Sequence, residues 1–388
     1  MPIINRLAEV ADEIAEWRHD IHRNPELLYE VHRTAGVVAD KLRSFGVDEV
    51  VTGIGRTGVV GVIRGRSNAS GRVIGLRADM DALPIEELTG KPYASANPGL
   101  MHACGHDGHT AMLLGAARHL SETRNFDGTA IMIFQPAEEG GAGGKAMVED
   151  GLMDRFGIQE VYGMHNMPGI RLGHFALRPG PMMASTDEFK IEVTGRGGHA
   201  AMPHQTVDPI VAASAIVQAL QTIVSRNVAA MESAVVTVTR FNAGTGSNII
   251  PDFAKLTGTV RTLQPAIRDL AETRLRAIVE QTAAAYGTTA TIAYKRNYPV
   301  TVNHPAETEA ALRAAAEVAG TERVDPNTPA IMGAEDFAYM LEARPGAFIF
   351  IGNGDSAGLH NPTFDFDDSI IPLGCSYWVR LVETTMPA

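Results

Sequence analysis

Apolar positions recur at helical spacing near the start of the chain, where Leu7, Val10, Ala11, Ile14 and Trp17 share one face. Asn24-Pro25 stops that helix, and a second one over 34–44 is closed by Gly46. The pattern then changes to strand-like apolar runs over 58–64 and 73–78, separated by turn residues at 66–71. A helix over 108–120 precedes an apolar strand over 130–134. Two further short apolar runs, Val161-Tyr162-Gly163-Met164 and Phe348-Ile349-Phe350-Ile351, read as buried strands. This alternation predicts an α/β fold with a mostly parallel sheet flanked by helices.

The periodicity shifts after Pro179-Gly180-Pro181. A strand over 186–193, a glycine-rich loop at 195–198 and an apolar helix over 209–224 come first. Strands over 234–241 and 254–261, a helix over 265–286 and a strand over 289–295 complete the series. The order β-α-β-β-α-β is that of a ferredoxin-like α+β unit. It predicts an inserted domain over 183–296 and a discontinuous catalytic domain made of 1–182 and 297–388.

Composition narrows the class. At 388 residues the chain is long enough for two domains. Its 45% apolar and 20% charged residues are ordinary for a globular protein. A mean hydropathy of -0.02, with no uncharged apolar run of membrane-spanning length, predicts no membrane span. Net charge of -12 disfavours nucleic acid or an anionic membrane as a partner. The first helix carries Glu9, Asp12, Glu13 and Glu16, unlike a signal peptide. Two cysteines exclude a disulfide framework, and a reducing, cytoplasmic location is expected. Of these, Cys375 lies in the apolar run 371–379 and reads as a core residue.

The chemistry concentrates in Met101-His102-Ala103-Cys104-Gly105-His106-Asp107-Gly108-His109. Thiolate and imidazole are ligands that borderline-soft divalent metals select, which makes Cys104 and His106 candidate ligands. The start of the helix that follows is expected to favour the Cys104 thiolate. Glu138-Glu139, His165 and His360 each follow an apparent buried strand, the place where α/β sheets form sites. Adjacent side chains on a strand diverge, so Glu138 and Glu139 are expected in a tight loop, one as ligand and one as base. Asp81, at the end of Arg77-Ala78-Asp79-Met80-Asp81, is the candidate to orient a ligating histidine, while Asp79 pairs equally well with Arg77. In the inserted domain His199, Asn248 and Arg261 suit a carboxylate or a developing oxyanion. His102, His109, His174, His204 and His304 are set aside as non-ligands.

Together these motifs make the chain resemble the aminoacylase–carboxypeptidase superfamily of metal-dependent amidohydrolases, in its hippurate hydrolase and auxin-conjugate hydrolase branch. The match extends over nearly the whole chain, including Asn24-Pro25-Glu26-Leu27, Pro136-Ala137-Glu138-Glu139-Gly140, Gly198-His199-Ala200 and Gly333-Ala334-Glu335-Asp336-Phe337. The resemblance implies a zinc-peptidase-like catalytic domain, with the inserted domain as a lid that also dimerises or tetramerises the protein. It implies two divalent ions per subunit (zinc, manganese, cobalt or nickel) held by Cys104, His106, Glu139, His165 and His360. Other branches have a ligating His where this chain has Asp79. The implied reaction cleaves the amide of an N-acyl amino acid, with Glu138 activating water and His199 reaching a neighbouring subunit's site. Asn248, Arg261, Gly333 and Glu335 would hold the substrate. The alternatives left open are a metallo-dipeptidase or carboxypeptidase and, outside enzymes, a metal-retaining binding protein.

Overall fold

The computed structural model describes residues 3–388, which divide into two compact units. The first comprises Met1–Met182, Val302–Pro329 and Asp336–Ala388, and the second Met183–Thr301 with Ala330–Glu335. Thus the second unit runs five residues past the boundary expected at 296 and adds the short segment containing Gly333 and Glu335.

After a short helix at Asn5–Glu9, the first unit continues with helices α1 (Ala11–Arg23) and α2 (His32–Ser44), then strands β1 (Glu49–Ile54), β2 (Gly58–Arg64) and β3 (Val73–Asp79). Helix α3 (His106–Thr123), β4 (Thr129–Gln135) and β5 (Glu160–Met167) follow. In the second unit come β6 (Ser185–Thr194), α4 (Pro209–Thr222), β7 (Ala234–Ala243), β8 (Phe253–Thr262), α5 (Pro265–Ala285) and β9 (Thr289–Arg296). The chain then returns through α6 (Pro305–Ala319), β10 (Gly346–Gly352) and α7 (Ile371–Thr385).

The large sheet has the order β1-β2-β4-β3-β5-β10, extended by the two-residue strands Phe175–Ala176 and Val324–Asp325. Its centre is parallel, with β3 beside both β4 and β5, and β5 beside β10. At one edge β1 and β2 run antiparallel. Every residue of β4 and β10 is buried, which explains their unbroken apolar runs. Sequence periodicity missed β1 because this edge strand is mostly exposed and carries no alternation. Helix α3, packed between the sheet and helices α1 and α7, is buried almost along its length. The parallel strands β3, β4 and β5 end at Asp79, Gln135 and Met167, so the polar segments beyond them gather at one sheet end.

The second unit is a four-stranded antiparallel sheet of order β7-β8-β6-β9. Strand β6 buries alternate residues, and Phe189, Ile191 and Val193 face α4 and α5 in one core. This is the ferredoxin-like arrangement that the element order predicted. The helix Pro209–Asn227 is long and apolar enough to cross a membrane by length and composition. In the fold it packs Ala212, Ala213, Ile216 and Leu220 into this core.

Candidate functional site

The loop before α3 is shaped by Gly105, whose φ of 90° is left-handed; a Cβ there would stand 2.0 Å from Asn166 Oδ1. The turn sets Cys104 Sγ 3.4 Å from His165 Nε2 and starts α3 at His106. His106 donates through Nδ1 to the backbone oxygen of Asp81 at 2.8 Å. That contact aims Nε2 inward, buried and without a hydrogen-bond partner, 3.6 Å from Asp79 Oδ2 and 4.0 Å from Glu139 Oε1. His165 donates through Nδ1 to the Asn166 carbonyl, which likewise turns its Nε2 toward Cys104.

Glu138 and Glu139 sit on a single strained turn, with left-handed φ at Ala137 (54°) and Ala142 (57°) on either side. A Cβ on the next residue, Gly143, would fall 1.7 Å from the Pro136 carbonyl oxygen. The turn is anchored by Asp81, whose carboxylate accepts the backbone N–H groups of Glu138 (2.9 Å) and Glu139 (3.1 Å). Asp81 lies 3.5 Å from His106 Nδ1 as well, so it braces the glutamate turn and the histidine together. Tyr29 adds a hydrogen bond from its hydroxyl to the Gly141 carbonyl. Across the turn, His360, itself at φ 61°, brings Nε2 to 3.2 Å from Glu139 Oε1.

Candidate ligand atoms form overlapping groups: Cys104, His106 and His165; Cys104, Glu139 and His360; His106, Glu138 and Glu139. Within each group they lie within 4.8 Å of one another. Ligands placed tetrahedrally around one zinc ion would be separated by about 3.3–3.8 Å, and the separations of 3.2 Å (His360–Glu139), 3.4 Å (Cys104–His165) and 4.0 Å (His106–Glu139) bracket that range. The orphaned His106 Nε2 is a second sign that the set fits a cation. Burial, with Glu139, Glu138 and Asp79 around it, pushes the Cys104 thiol well above its ordinary pKa. A cation bound beside it would oppose that shift and favour the thiolate form that ligates. Burial opposes charge on His106, yet Asp79, Asp81 and Glu139 push it up to about 10. Burial holds His165 well below the ordinary histidine value, the neutral form that ligates.

Asp79 does pair with Arg77, Nη1 to Oδ2 at 2.7 Å, and its other oxygen takes His109 Nδ1 at 2.6 Å. His109, set aside on sequence, is therefore inside the site, with Nε2 against Asn166 Oδ1 at 2.7 Å. Behind the ligand loop, Asp107 Oδ2 receives Arg18 (2.9 Å) and His22 (2.8 Å), all three buried. Burial opposes charge on His22, but Asp107 and Glu87 raise it to about 9.

In the second unit, Asn248 accepts the Ala200 N–H at 3.0 Å while Ile249 pairs with His199, so these two candidates come together. His199 Nδ1 accepts the Ala201 N–H, leaving Nε2 protonated and exposed, a donor facing outward. Arg261 is not brought to them. It pairs with Thr186 at one end of β8, whereas the His199 hairpin joins at the Phe253 end, roughly 25 Å along the strand at ~3.3 Å per residue. Arg261 is half-buried, and that burial lowers its pKa. Gly333 accepts the Ala184 N–H through its carbonyl, and the Glu335 side chain is buried.

Comparison with known proteins matches residues 75–384 to the model of peptidase family M20/M25/M40. The chain is 44% identical to hippurate hydrolase of Campylobacter jejuni over 98% of both chains. It is 43% identical to N-acetyl-L-cysteine deacetylase of Bacillus subtilis, over 96% of this chain and 88% of that one. Among solved structures, a dinuclear metal-binding M20 peptidase of Bacillus subtilis superposes with a TM-score of 0.85 at 35% identity, covering 98% of this chain and 99% of that one. With two relatives above 40% identity over most of their lengths and most of its own length inside the family model, the chain belongs to peptidase family M20/M25/M40.

Proposed function

We propose that the protein is an N-acyl-amino-acid amidohydrolase that uses two divalent ions held by Cys104, His106, Glu139, His165 and His360. The observation that carries the reading is one glutamate turn that presents a ligand-capable carboxylate, Glu139, beside a second carboxylate, Glu138, with both backbone N–H groups fixed by Asp81. A metal-retaining binding protein would need the first carboxylate and not the second. The chemistry that such ions supply when bound is polarisation of a carbonyl and acidification of water. Glu138 takes the proton of the attacking water and returns it to the leaving nitrogen, releasing a carboxylic acid and an amino acid. His199 Nε2–H is the donor assigned to the developing oxyanion, and Asn248, Arg261, Gly333 and Glu335 are assigned to the substrate carboxylate and its orientation.

The distance between His199 and Arg261 favours their serving different sites in a homodimer, His199 acting on the partner's substrate. The second unit suits a dimer contact, since β7 is an edge strand and α4 exposes Ile210 and Val211. The deciding experiment compares N-acetyl and N-benzoyl amino acids with dipeptides and longer peptides, for wild type and Glu138→Gln, with zinc or manganese added. Wild type should prefer the acyl amino acids. Glu138→Gln should keep its metal and lose about 10²–10⁴-fold in kcat. Metal lost together with activity would make Glu138 a ligand, and a preference for peptides would replace the substrate class.

A further inference from the structure

Arg77, Gln135 and Asp336 form a buried cluster that the proposed reaction does not use. The Asp336 carboxylate accepts from Arg77 Nη2 (3.0 Å) and Gln135 Nε2 (2.7 Å) on one oxygen, and from the Gly144 N–H (2.7 Å) on the other. Arg77 is itself fixed by Gln135 Oε1 at 2.9 Å and by Asp79. Each of these partners is a donor, so the clamp fits a carboxylate and nothing that must donate. The backbone N–H of Asp336 then points at Glu138 Oε1, 3.4 Å away. A carboxylate oxygen of each residue lies within 4.8 Å of the other's. We infer that Asp336, locked by Arg77 and Gln135, is a positioning residue that holds the Glu138 carboxylate in its productive orientation. The inference rests on the reading of Glu138 as the general base. Catalytic groups must be held within roughly 0.5 Å of their working place, and the loop bearing Asp336 has no link to Glu138 on the same strand or helix.

The test is a double-mutant cycle on kcat. Asp336→Asn keeps the side chain's shape but must turn an amide N–H toward one of three donors, which displaces the loop. It should lower kcat by about 10–10²-fold, with KM and bound metal within twofold of wild type. In a Glu138→Gln background the same substitution should have no further effect on kcat, because the group it positions is gone. If Asp336→Asn does not fold, Gly144→Ala replaces it. A Cβ there would sit 3.2 Å from Asp336 Oδ1 and 2.9 Å from its carbonyl oxygen, pressing on the clamp without removing a charge. Unchanged kcat, loss of metal, or effects that multiply in the double variant would each overturn the inference. Those outcomes leave the amidohydrolase reading standing so long as Glu138→Gln alone is inactive. Full activity of Glu138→Gln would instead remove the reading on which the inference rests.

Discussion

Asp81→Asn should weaken metal binding by about 10–10²-fold while the protein stays folded. The wild-type carboxylate accepts two backbone N–H groups, from Glu138 at 2.9 Å and Glu139 at 3.1 Å, and is itself buried. Asparagine offers one oxygen to one of those donors and turns its own N–H toward the other. A hydrogen bond to a charged acceptor contributes about 1.5–3 kcal/mol, and a buried donor left unpaired costs about 1–3 kcal/mol. The turn already carries left-handed φ at Ala137 and Ala142, so it has other conformations to relax into. At 1.4 kcal/mol per decade, a penalty of about 1.5–3 kcal/mol on the conformation that presents Glu139 reduces apparent affinity by one to two decades. The assay is competition for zinc against a fluorescent chelator, with the far-ultraviolet spectrum and melting curve as controls. An affinity within threefold of wild type would refute the argument, because it would mean that the turn holds its shape without the charged anchor.

Cys104→Ser should lower metal stoichiometry or affinity, measured by metal analysis after dialysis against a weak chelator, since an alcohol is a far poorer anionic ligand than a thiolate. His199→Ala should keep its metal and lose about 10²–10³-fold in turnover. Mixing it with Glu138→Gln under subunit exchange should restore activity, and confirmed heterodimers without recovery would place His199 outside the partner's site. His22→Gln should melt well below wild type near pH 6 and close to it near pH 10. The raised value of about 9 for His22 gives stabilisation that is complete below its ordinary value near 6.5 and is lost as pH rises through 9. An equal deficit at both ends of that range would show that His22 acts by packing alone.

The buried strands of the large sheet, though not its edge strand β1, and the strands and helices of the inserted unit were legible because burial on two faces, or on one, imposes distinct periodicities. The ligand-capable residues were legible by type, since thiols and imidazoles just past buried strands are uncommon. Less accessible was the support around them. His109 and Asp336 are single polar residues whose partners, Asp79 and Asn166 for one, Arg77 and Gln135 for the other, lie far away in sequence. No spacing rule encodes such a contact. Arg261 was grouped with His199 because their segments neighbour one another, and only the register of β8 on β6 reveals how far apart they stand. The fate of Cys104 also needed three dimensions, because the three carboxylates that oppose its ionisation come from β3 and the Glu138 turn.

The pairing of β5 with β10 joins Val161 to Gly346, with the whole inserted unit between them in the chain. During synthesis, β6 through β9 emerge as a complete antiparallel sheet with its own core before β10 has been made. The inserted unit therefore has the means to fold first, while the central sheet waits with the β5 edge unpaired. His360, eight residues beyond β10, reaches its place beside Glu139 only after that late closure. Long-range parallel pairing is slow, so a ribosome-bound chain arrested shortly before residue 346 is expected to hold Cys104, His106 and His165 near an unpaired strand edge, open to aggregation and to early capture of a cation.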